Sequence, residues 1–381
     1  MIQFTNMTIT PNPINVSYDI ALYDFTSFTF GMGTFVTGAI GPTYQQLLTY
    51  YTASAQWAAT PTYFTSSKFG FQIWTAPATA TYEIEVAGSR AGRLNNNTLE
   101  LYGKGAIVKG NYALTQGQKV IIITGQYDTA FNFGQPSGSY EGMGGGGGSF
   151  LIDSASLTPI MVAGGGGGNA RYTAYASNAL FIGLNGVTTT SGSASRRGAK
   201  GGIGGSGGYS SFGTASISSS NGYEGGAGAG LYGDGQNGNG SFTKPYIGTT
   251  EGEGGYGILR VSTPASGGLG GRMGNSWGAT SGNNYKSAYA ASMGGFGGGG
   301  GGNGLIGPGG GGGYSGGAGG WGNGSPQSDG GGGGGSYIVT TVTNVATSDG
   351  KYDGLTSFSG SAITNLGTYN TGSGYIKITK L

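Results

Sequence analysis

The chain has 381 residues with 17 basic and 15 acidic side chains, and it has no Cys and no His. That composition excludes disulfides, thiol chemistry and the usual imidazole or thiolate metal sites. The near-zero net charge, with no Lys/Arg cluster along a face, argues against electrostatic binding of nucleic acid.

Glycine is the outlier. Of 90 Gly, 14 precede residue 142, 70 fall within 142–335 and 6 follow, against an ordinary usage of about 7 %. Two ordinary regions therefore flank an abnormal one. The N-terminal stretch MIQFTNMTITPNP has neither a basic n-region nor an apolar h-region, so no secretory signal is visible. No apolar run is long enough to cross a membrane. An extracellular-looking composition without a signal suits a protein released by lysis, as virion proteins are.

Up to residue 68 the chain reads as short strands and one helix. NVSYDIALYDF alternates loosely, and SFTFGMGTFV is a strand with a Gly kink. In GPTYQQLLTYYTASAQW, Pro42 and Thr43 suit a first helical turn, and Leu47, Leu48 and Tyr51 recur at helical spacing. One short helix is expected near 43–53. From Phe69 the pattern is β. In FGFQIWTAPATATYEIEVAG, Tyr82, Ile84 and Val86 point one way and Glu83 and Glu85 the other. KVIIITG is apolar on both faces, which places it centrally in a sheet. SFLID and PIMVAG are also strand-like. The terminal GYIKITKL turns Ile376 and Ile378 inward and Lys377 outward, so the chain's own C-terminus closes the sheet structure.

The glycine runs are 144–148, 164–168, 297–302, 309–313 and 330–335. Collagen is excluded, because the runs lack a strict three-residue period and Pro is scarce. A flexible linker is the plain alternative, but the Tyr, Phe, Trp, Leu and Ile that punctuate the runs would serve no purpose in one. Six Gly in polyproline II geometry span roughly 18 Å at about 3.1 Å per residue, with N–H and C=O groups pointing away from the axis. Rods of this kind can hydrogen-bond side by side where no Cβ intervenes. GGIGGSGGY and GGYSGGAGGWG fit peripheral rods of Gly-Gly-X pattern. Each Gly costs roughly 0.5–1 kcal/mol relative to Ala, and a hydrogen bond contributes about 0.5–1.5 kcal/mol. The rods therefore stand or fall together, supported by the sheets.

Between the runs lie segments rich in Ser, Thr, Asn, Tyr and Phe. Loops of that composition make adaptable binding surfaces, or else they are solvated connectors whose aromatics cap the bundle. Candidate receptor-contact residues are Tyr172, Tyr175, Phe181, Phe212, Tyr246, Trp277, Tyr285 and Tyr289. Arg196, Arg197 and Lys200 form the densest basic spot and read as a solvated loop. GxGxxG recurs by chance at this Gly content, and Walker A is absent because neither Lys104 nor Lys351 is followed by Ser or Thr. GLYGDGQNGNG resembles a calcium-binding turn but offers Asp234 as its sole carboxylate. Glu251 and Glu253 are paired in sequence but lie in a Gly-rich loop. No catalytic residue, cofactor or metal is expected.

The ordered series FQIWTAPATATYEIEVAGSRAG, GQKVIIITGQ, GGGGGSF, TPIMVAGGGGG, GPGGGGGYSGGAGG, GGGGGSY and terminal GYIKI resembles the glycine-rich region of the anaplastic lymphoma kinase and leukocyte tyrosine kinase receptors, found also in viral and bacterial surface proteins. The likeness runs from about Phe69 to Leu381. It implies an all-β fold: a TNF-like (jelly-roll) β sandwich with an inserted polyglycine II helix bundle. The receptors carry Cys here, as well as a membrane span and a kinase that this chain lacks, so their signalling and cytokine binding do not transfer. GAIGPTYQQLLTYYTASAQWAATPTYF looks like the prelude to such modules in proteins of large algal viruses and marine phages. The alternation of Gly runs with Tyr/Ser/Asn loops is similar to the distal adhesins of T-even-like phages.

The expected organisation is residues 1–68 as a docking region, 69–163 as a sandwich closed by 336–381, and 164–335 as the glycine-rich bundle. The expected role is a virion-surface or extracellular protein without catalytic function. Its partners would be other virion or fibre subunits through the N-terminal region, a host receptor or glycan, and further copies of itself. A purely structural capsid, tail or fibre subunit is the alternative. An ice-binding protein is a minor one.

Overall fold

The alternating segment around Tyr82 builds the first sheet. The computed structural model describes residues 20–31, 38–93, 102–128, 131–132, 140–172, 182–195, 198–210, 224–243, 251–260, 266–273, 289–303, 307–322 and 329–381. The first sheet has the order β1 (Ser27–Phe30), β18 (Tyr375–Lys380), β4 (Ala80–Ala87), β5 (Ile107–Leu114), β14 (Thr343–Thr347) and β17 (Thr364–Asn365). Tyr82, Ile84 and Val86 are fully buried. On the other face, Glu83 pairs with Lys109 at 2.9 Å, and Glu85 accepts a 2.7 Å hydrogen bond from the Tyr375 hydroxyl. Ile376 and Ile378 lie opposite Val86 and Ile84 and are buried, so the C-terminal strand does close the sheet.

The second sheet has the order β13 (Tyr337–Ile338), β10 (Pro159–Ala163), β9 (Ser149–Asp153), β6 (Lys119–Ile123), β3 (Phe71–Thr75) and β2 (Phe64–Lys68). The doubly apolar KVIII segment is β6, an inner strand, as its pattern requires. Val120 and Ile122 join a core shared with the first sheet, where they meet Trp74, Leu151, Ile84 and Val108. Ile121 and Ile123 face the other way, into a second cluster with Phe150, Ile152 and Val162.

The α-helix α1 (Tyr44–Tyr51) has Thr43 as its N-cap rather than as a first-turn residue. The Thr43 hydroxyl accepts from the Gln46 N–H, while the Gln46 side chain accepts from the Thr43 N–H. This reciprocal box satisfies two otherwise orphaned donors. Leu47 and Tyr51 face inward. Phe30, Leu47, Tyr51, Ala58 and Phe64 all belong to the core between the two sheets. The described part of residues 1–68 is thus packed into the same core as the sheets. Among the described residues there are also two smaller sheets: β11 (Ala170–Tyr172), β8 (Tyr140–Gly142), β12 (Tyr289–Ala291) and β7 (Phe131–Asn132) in that order, and the pair β15 (Ser357–Phe358) and β16 (Ser361–Ala362).

The glycine runs contain no helix and no strand, yet they are buried and hydrogen-bonded to one another. In run 164–168, Gly165 and Gly168 donate to Gly312 and Gly309, Gly166 to Ser89, and Gly167 to Leu184. In run 144–148, Gly145 and Gly148 donate to Gly300 and Gly297, Gly146 to Gly166, and Gly147 to Gln126. In run 309–313, Gly309 and Gly312 donate to Met143 and Gly146, Gly310 and Gly313 to Gly226 and Ala229, and Gly311 to Gly332. Successive N–H groups serve three neighbours in turn, and the fourth returns to the first. Run 144–148, which falls inside the sequence range assigned to the sandwich, is an integral member of this array.

Glycine is needed here for close approach. A Cβ on Gly167 would stand 2.0 Å from the Gly331 oxygen, and one on Gly145 would stand 2.0 Å from the Gly310 oxygen. None of the glycines in runs 144–148, 164–168, 309–313 and 330–335 has a left-handed φ.

The segments reverse at 203–206, 231–233, 296–298 and 313–315, and the Gly268 N–H meets the Gly257 carbonyl. GGIGGSGGY is accordingly not one straight rod. Gly204 and Gly205 take φ of 60° and 87°, and Tyr209 N–H returns to the Lys200 carbonyl. Nor is GGYSGGAGGWG straight: it folds at Tyr314 and Ser315, so that Gly317 donates to Gly311. These reversals carry the apolar residues. Leu231, Ile258 and Phe296 are buried against Phe71, Ile121, Ile123 and Phe150 on the outer face of the second sheet, with Tyr314 packed beside them. The glycine-rich layer therefore stands on the second sheet, its turns plugged into it.

Buried serines finish the ends of the runs. The Ser149 hydroxyl accepts from Gly125 N–H and donates to the Ala87 carbonyl, Ser292 accepts from Gly144, Ser336 from Gly164 and Ser315 from Gly205. Each supplies a partner to a buried N–H where a rod stops, which avoids a penalty of about 1–3 kcal/mol.

Candidate recognition surface

The glycine-rich segments alternate toward and away from the second sheet, so their other ends gather at one place. That end is marked by Met143 bonding to Asn169, Gly225 bonding to Gly320, and bridges between Glu224 and Trp321 and between Asn303 and Gly307. The four-stranded sheet lies there, because β8 leads into run 144–148, β11 continues run 164–168, and β12 leads into the segment before run 297–302.

Two of the eight candidate contact residues fall in that small sheet. Tyr172 ends β11 and Tyr289 begins β12, and both stand in register with Tyr140 on the strand between them. They lie on paired strands and not in loops, because the chain leaving the rods stays extended long enough to find partners. Tyr175, Phe181, Phe212, Tyr246, Trp277 and Tyr285 lie outside the described residues. The described positions that flank them (172 and 182, 210 and 224, 243 and 251, 273 and 289) all belong to this same end of the layer.

Two further aromatics are exposed on the same half of the layer. Tyr209 is 37 % and Phe242 46 % exposed, and their rings meet edge to face at 5.8 Å. Gln236 and Asn237 hold the turn that presents Phe242. Gln236 accepts from Ser210 N–H at 3.0 Å and donates to the Gly240 carbonyl at 2.6 Å. Asn237 donates to the Thr243 carbonyl at 3.0 Å and accepts from Gly254 N–H at 3.1 Å. The signal for both aromatics was present in GGY and GSF, where a large ring directly follows Gly or Ser at a turn.

The acidic residues of the layer serve its own structure. Asp234 accepts from Gly257 N–H at 2.8 Å through one oxygen and pairs with Arg260 at 2.9 Å through the other. Glu253 is buried. One oxygen accepts from the Tyr256 hydroxyl at 2.7 Å and the other from Arg272 N–H at 3.1 Å. Glu224 is buried as well, and its pKa is raised to about 7 by burial and by the charge of Glu251. Among the described residues, no group of three or more carboxylate, Cys or His side chains could hold a metal ion, and no helix is long and apolar enough to cross a membrane.

Two clefts remain. One of about 330 Å³ lies between the sheet structure and the glycine-rich layer, with Ile40, Asp128, Leu269, Arg272 and Met293 in its walls. The other, of about 670 Å³, is at the N-terminal edge, where Tyr23 stacks on Trp57 at 5.4 Å and packs on Tyr63 at 4.5 Å. No protein-family model and no curated protein sequence matches the chain.

Proposed function

We propose that this is a non-enzymatic virion-surface protein that contributes to host attachment. In this reading a TNF-like jelly-roll sandwich carries a polyglycine II bundle, and the bundle displays Tyr/Ser/Asn-rich segments toward a host receptor or glycan. The three-neighbour hydrogen-bond period of the runs supports the polyglycine II description, since a threefold rod turns its N–H groups by a third of a circle per residue. The two stacked sheets and the C-terminal closing strand support the sandwich.

The observation that carries the functional reading is convergence. The segments bearing all eight candidate aromatics enter and leave the described structure at one end, opposite the sheet on which the rods stand. A rigid scaffold that gathers variable, uncharged, aromatic segments at one end is how binding loops are usually displayed.

The test is adsorption. Replacing Tyr172, Tyr175, Phe181, Phe212, Tyr246, Trp277, Tyr285 and Tyr289 together with Ala leaves the unfolding midpoint near that of the wild type and lowers adsorption of particles to host cells. Full adsorption by a folded variant of this kind would sink the attachment role.

The alternative, a structural capsid, tail or fibre subunit, is favoured by the N-terminal edge. Ile20 is 80 % and Leu22 40 % exposed beside the aromatic cleft, a surface suited to docking on a neighbouring subunit or on a further copy of the chain. Ile20→Asp with Leu22→Asp, which leaves Phe28 and Phe30 in the core, separates the two roles: loss of particle assembly by this folded variant assigns the subunit role to this edge.

A further inference from the structure

Apart from the far end, one surface at the junction of the second sheet and the glycine-rich layer has the composition of a ligand subsite. Tyr314 sits at a rod reversal and Tyr337 on the edge strand β13. Their rings stack at 4.7 Å with 27° between planes, and both rest half-buried on the apolar cluster of the outer sheet face. Tyr232, at a second reversal, is 52 % exposed. Its ring leans on Gly205 so closely that a Cβ there would come within 2.6 Å of a ring carbon. Ile203, on the same turn as Gly205, is 70 % exposed.

The two reversals meet where the Leu231 N–H donates to the Tyr314 carbonyl at 2.8 Å, which sets Tyr232 beside the stacked pair. The pKa of Tyr314 is raised by burial, then by Tyr232, Tyr337 and Asp353, and that of Tyr337 by burial and Tyr232. The charged group acting on this cluster is a carboxylate. Asp353 is exposed, with Oδ1 accepting from the Thr190 N–H at 2.9 Å and from the Thr190 hydroxyl at 3.2 Å. No donor among the described residues reaches its Oδ2. The loop that holds Asp353 is anchored from below. The Tyr352 hydroxyl is buried, accepts from Ile338 N–H at 3.0 Å and donates to the Ile338 carbonyl at 3.2 Å.

We propose that Tyr232, Tyr314, Tyr337 and Asp353 form a subsite for a neutral saccharide. Aromatic rings with a polar tip provide an apolar face and a hydrogen-bonding edge together, which matches the C–H face and hydroxyl rim of a pyranose. The free Asp353 oxygen accepts from sugar hydroxyls, and such a charge-assisted bond is about twice as strong as a neutral one. The same carboxylate repels acidic sugars. The rigid, largely preformed surface lowers the ordering cost of binding. The proposal does not depend on the attachment role of the far end.

The test uses the full chain and four soluble probes: tetrasaccharides of glucose, of galactose and of mannose, and sialyllactose as the acidic comparator. Binding is followed by saturation-transfer NMR and by titration. At least one neutral tetrasaccharide binds with a Kd at or below the millimolar range, and sialyllactose binds more weakly. Tyr232→Ala and Asp353→Asn each weaken binding at least tenfold. Tyr232→Phe, which keeps the ring on Gly205, loses less than Tyr232→Ala and guards against misfolding as the cause. Tyr50→Ala, which removes an exposed ring on α1, leaves the Kd unchanged. Silence from all three neutral probes, tighter binding of sialyllactose, or an unaltered Kd in folded Tyr232→Ala overturns the assignment. The adsorption result does not bear on it, so the two readings can fail separately.

Discussion

Replacing Gly167 by Ala is the sharpest probe of the rod array. The added methyl would stand 2.0 Å from the Gly331 oxygen and 2.5 Å from its carbonyl carbon, both backbone atoms with no rotamer to yield. Ordinary contact requires the two runs to separate by roughly 1.4 Å. Runs 164–168 and 330–335 are joined by bonds of 2.9 Å from Gly331 to Gly168 and from Gly334 to Gly165. A separation of that size carries both past hydrogen-bonding distance. Each lost bond leaves buried groups unpaired at about 1–3 kcal/mol, so the substitution costs about 4 kcal/mol.

Gly372→Ala is the matched control. Its Cβ meets nothing closer than Asn370 Oδ1 at 3.7 Å, and its φ is not left-handed. The control should be neutral or gain about 0.4–1 kcal/mol from a stiffer unfolded chain. Urea unfolding of the two variants gives the comparison. If Gly167→Ala unfolds within about 0.5 kcal/mol of Gly372→Ala, close backbone approach is not what the glycines provide.

Two other outcomes follow from side chains at the ends of the layer. Phe296→Ala removes a fully buried ring that meets Phe71 edge to face at 6.3 Å. It should cost about 3–5 kcal/mol and speed amide exchange in residues 294–302 before it affects β4 or β18. Uniform loss of protection would contradict the view that this turn anchors the layer. Glu224 binds its proton more tightly in the folded chain, at about pH 7, than in the unfolded chain, near 4.5. Its contribution to stability is therefore complete below pH 4.5 and is lost as pH rises through 7, about 3 kcal/mol in total. Glu224→Gln should flatten that part of the stability–pH curve, and an unchanged curve would remove Glu224 as its source.

Sheet structure was legible wherever side chains alternate or crowd. Tyr82, Ile84 and Val86 declare their face by period two, Ile121 to Ile123 declare two buried faces, and Ile376 and Ile378 declare the closing strand. The helix was legible from Leu47, Leu48 and Tyr51. What escaped was the path of the glycines. GGIGGSGGY is compatible with a straight rod or a hairpin, because Gly204 adopts φ of 60° as readily as a negative value. A residue without a Cβ carries no preference that a reader could use.

The candidate surface was half legible for the same reason. Aromatics in Ser/Asn-rich stretches stood out, whereas Tyr232, Tyr314 and Tyr337 read as mere punctuation of glycine runs. Only the reversals at 231–233 and 313–315 and the edge position of β13 bring those three together.

The repeat of three in the backbone bonding has a consequence for how such a chain can change length. Adding or deleting one residue inside a run would rotate every later amide to the wrong neighbour, and two would do the same in the opposite sense. Only triplets restore the match, so viable insertions and deletions within the runs are quantised. Changes at the far turns, beyond the last bonded pair, are free of that arithmetic.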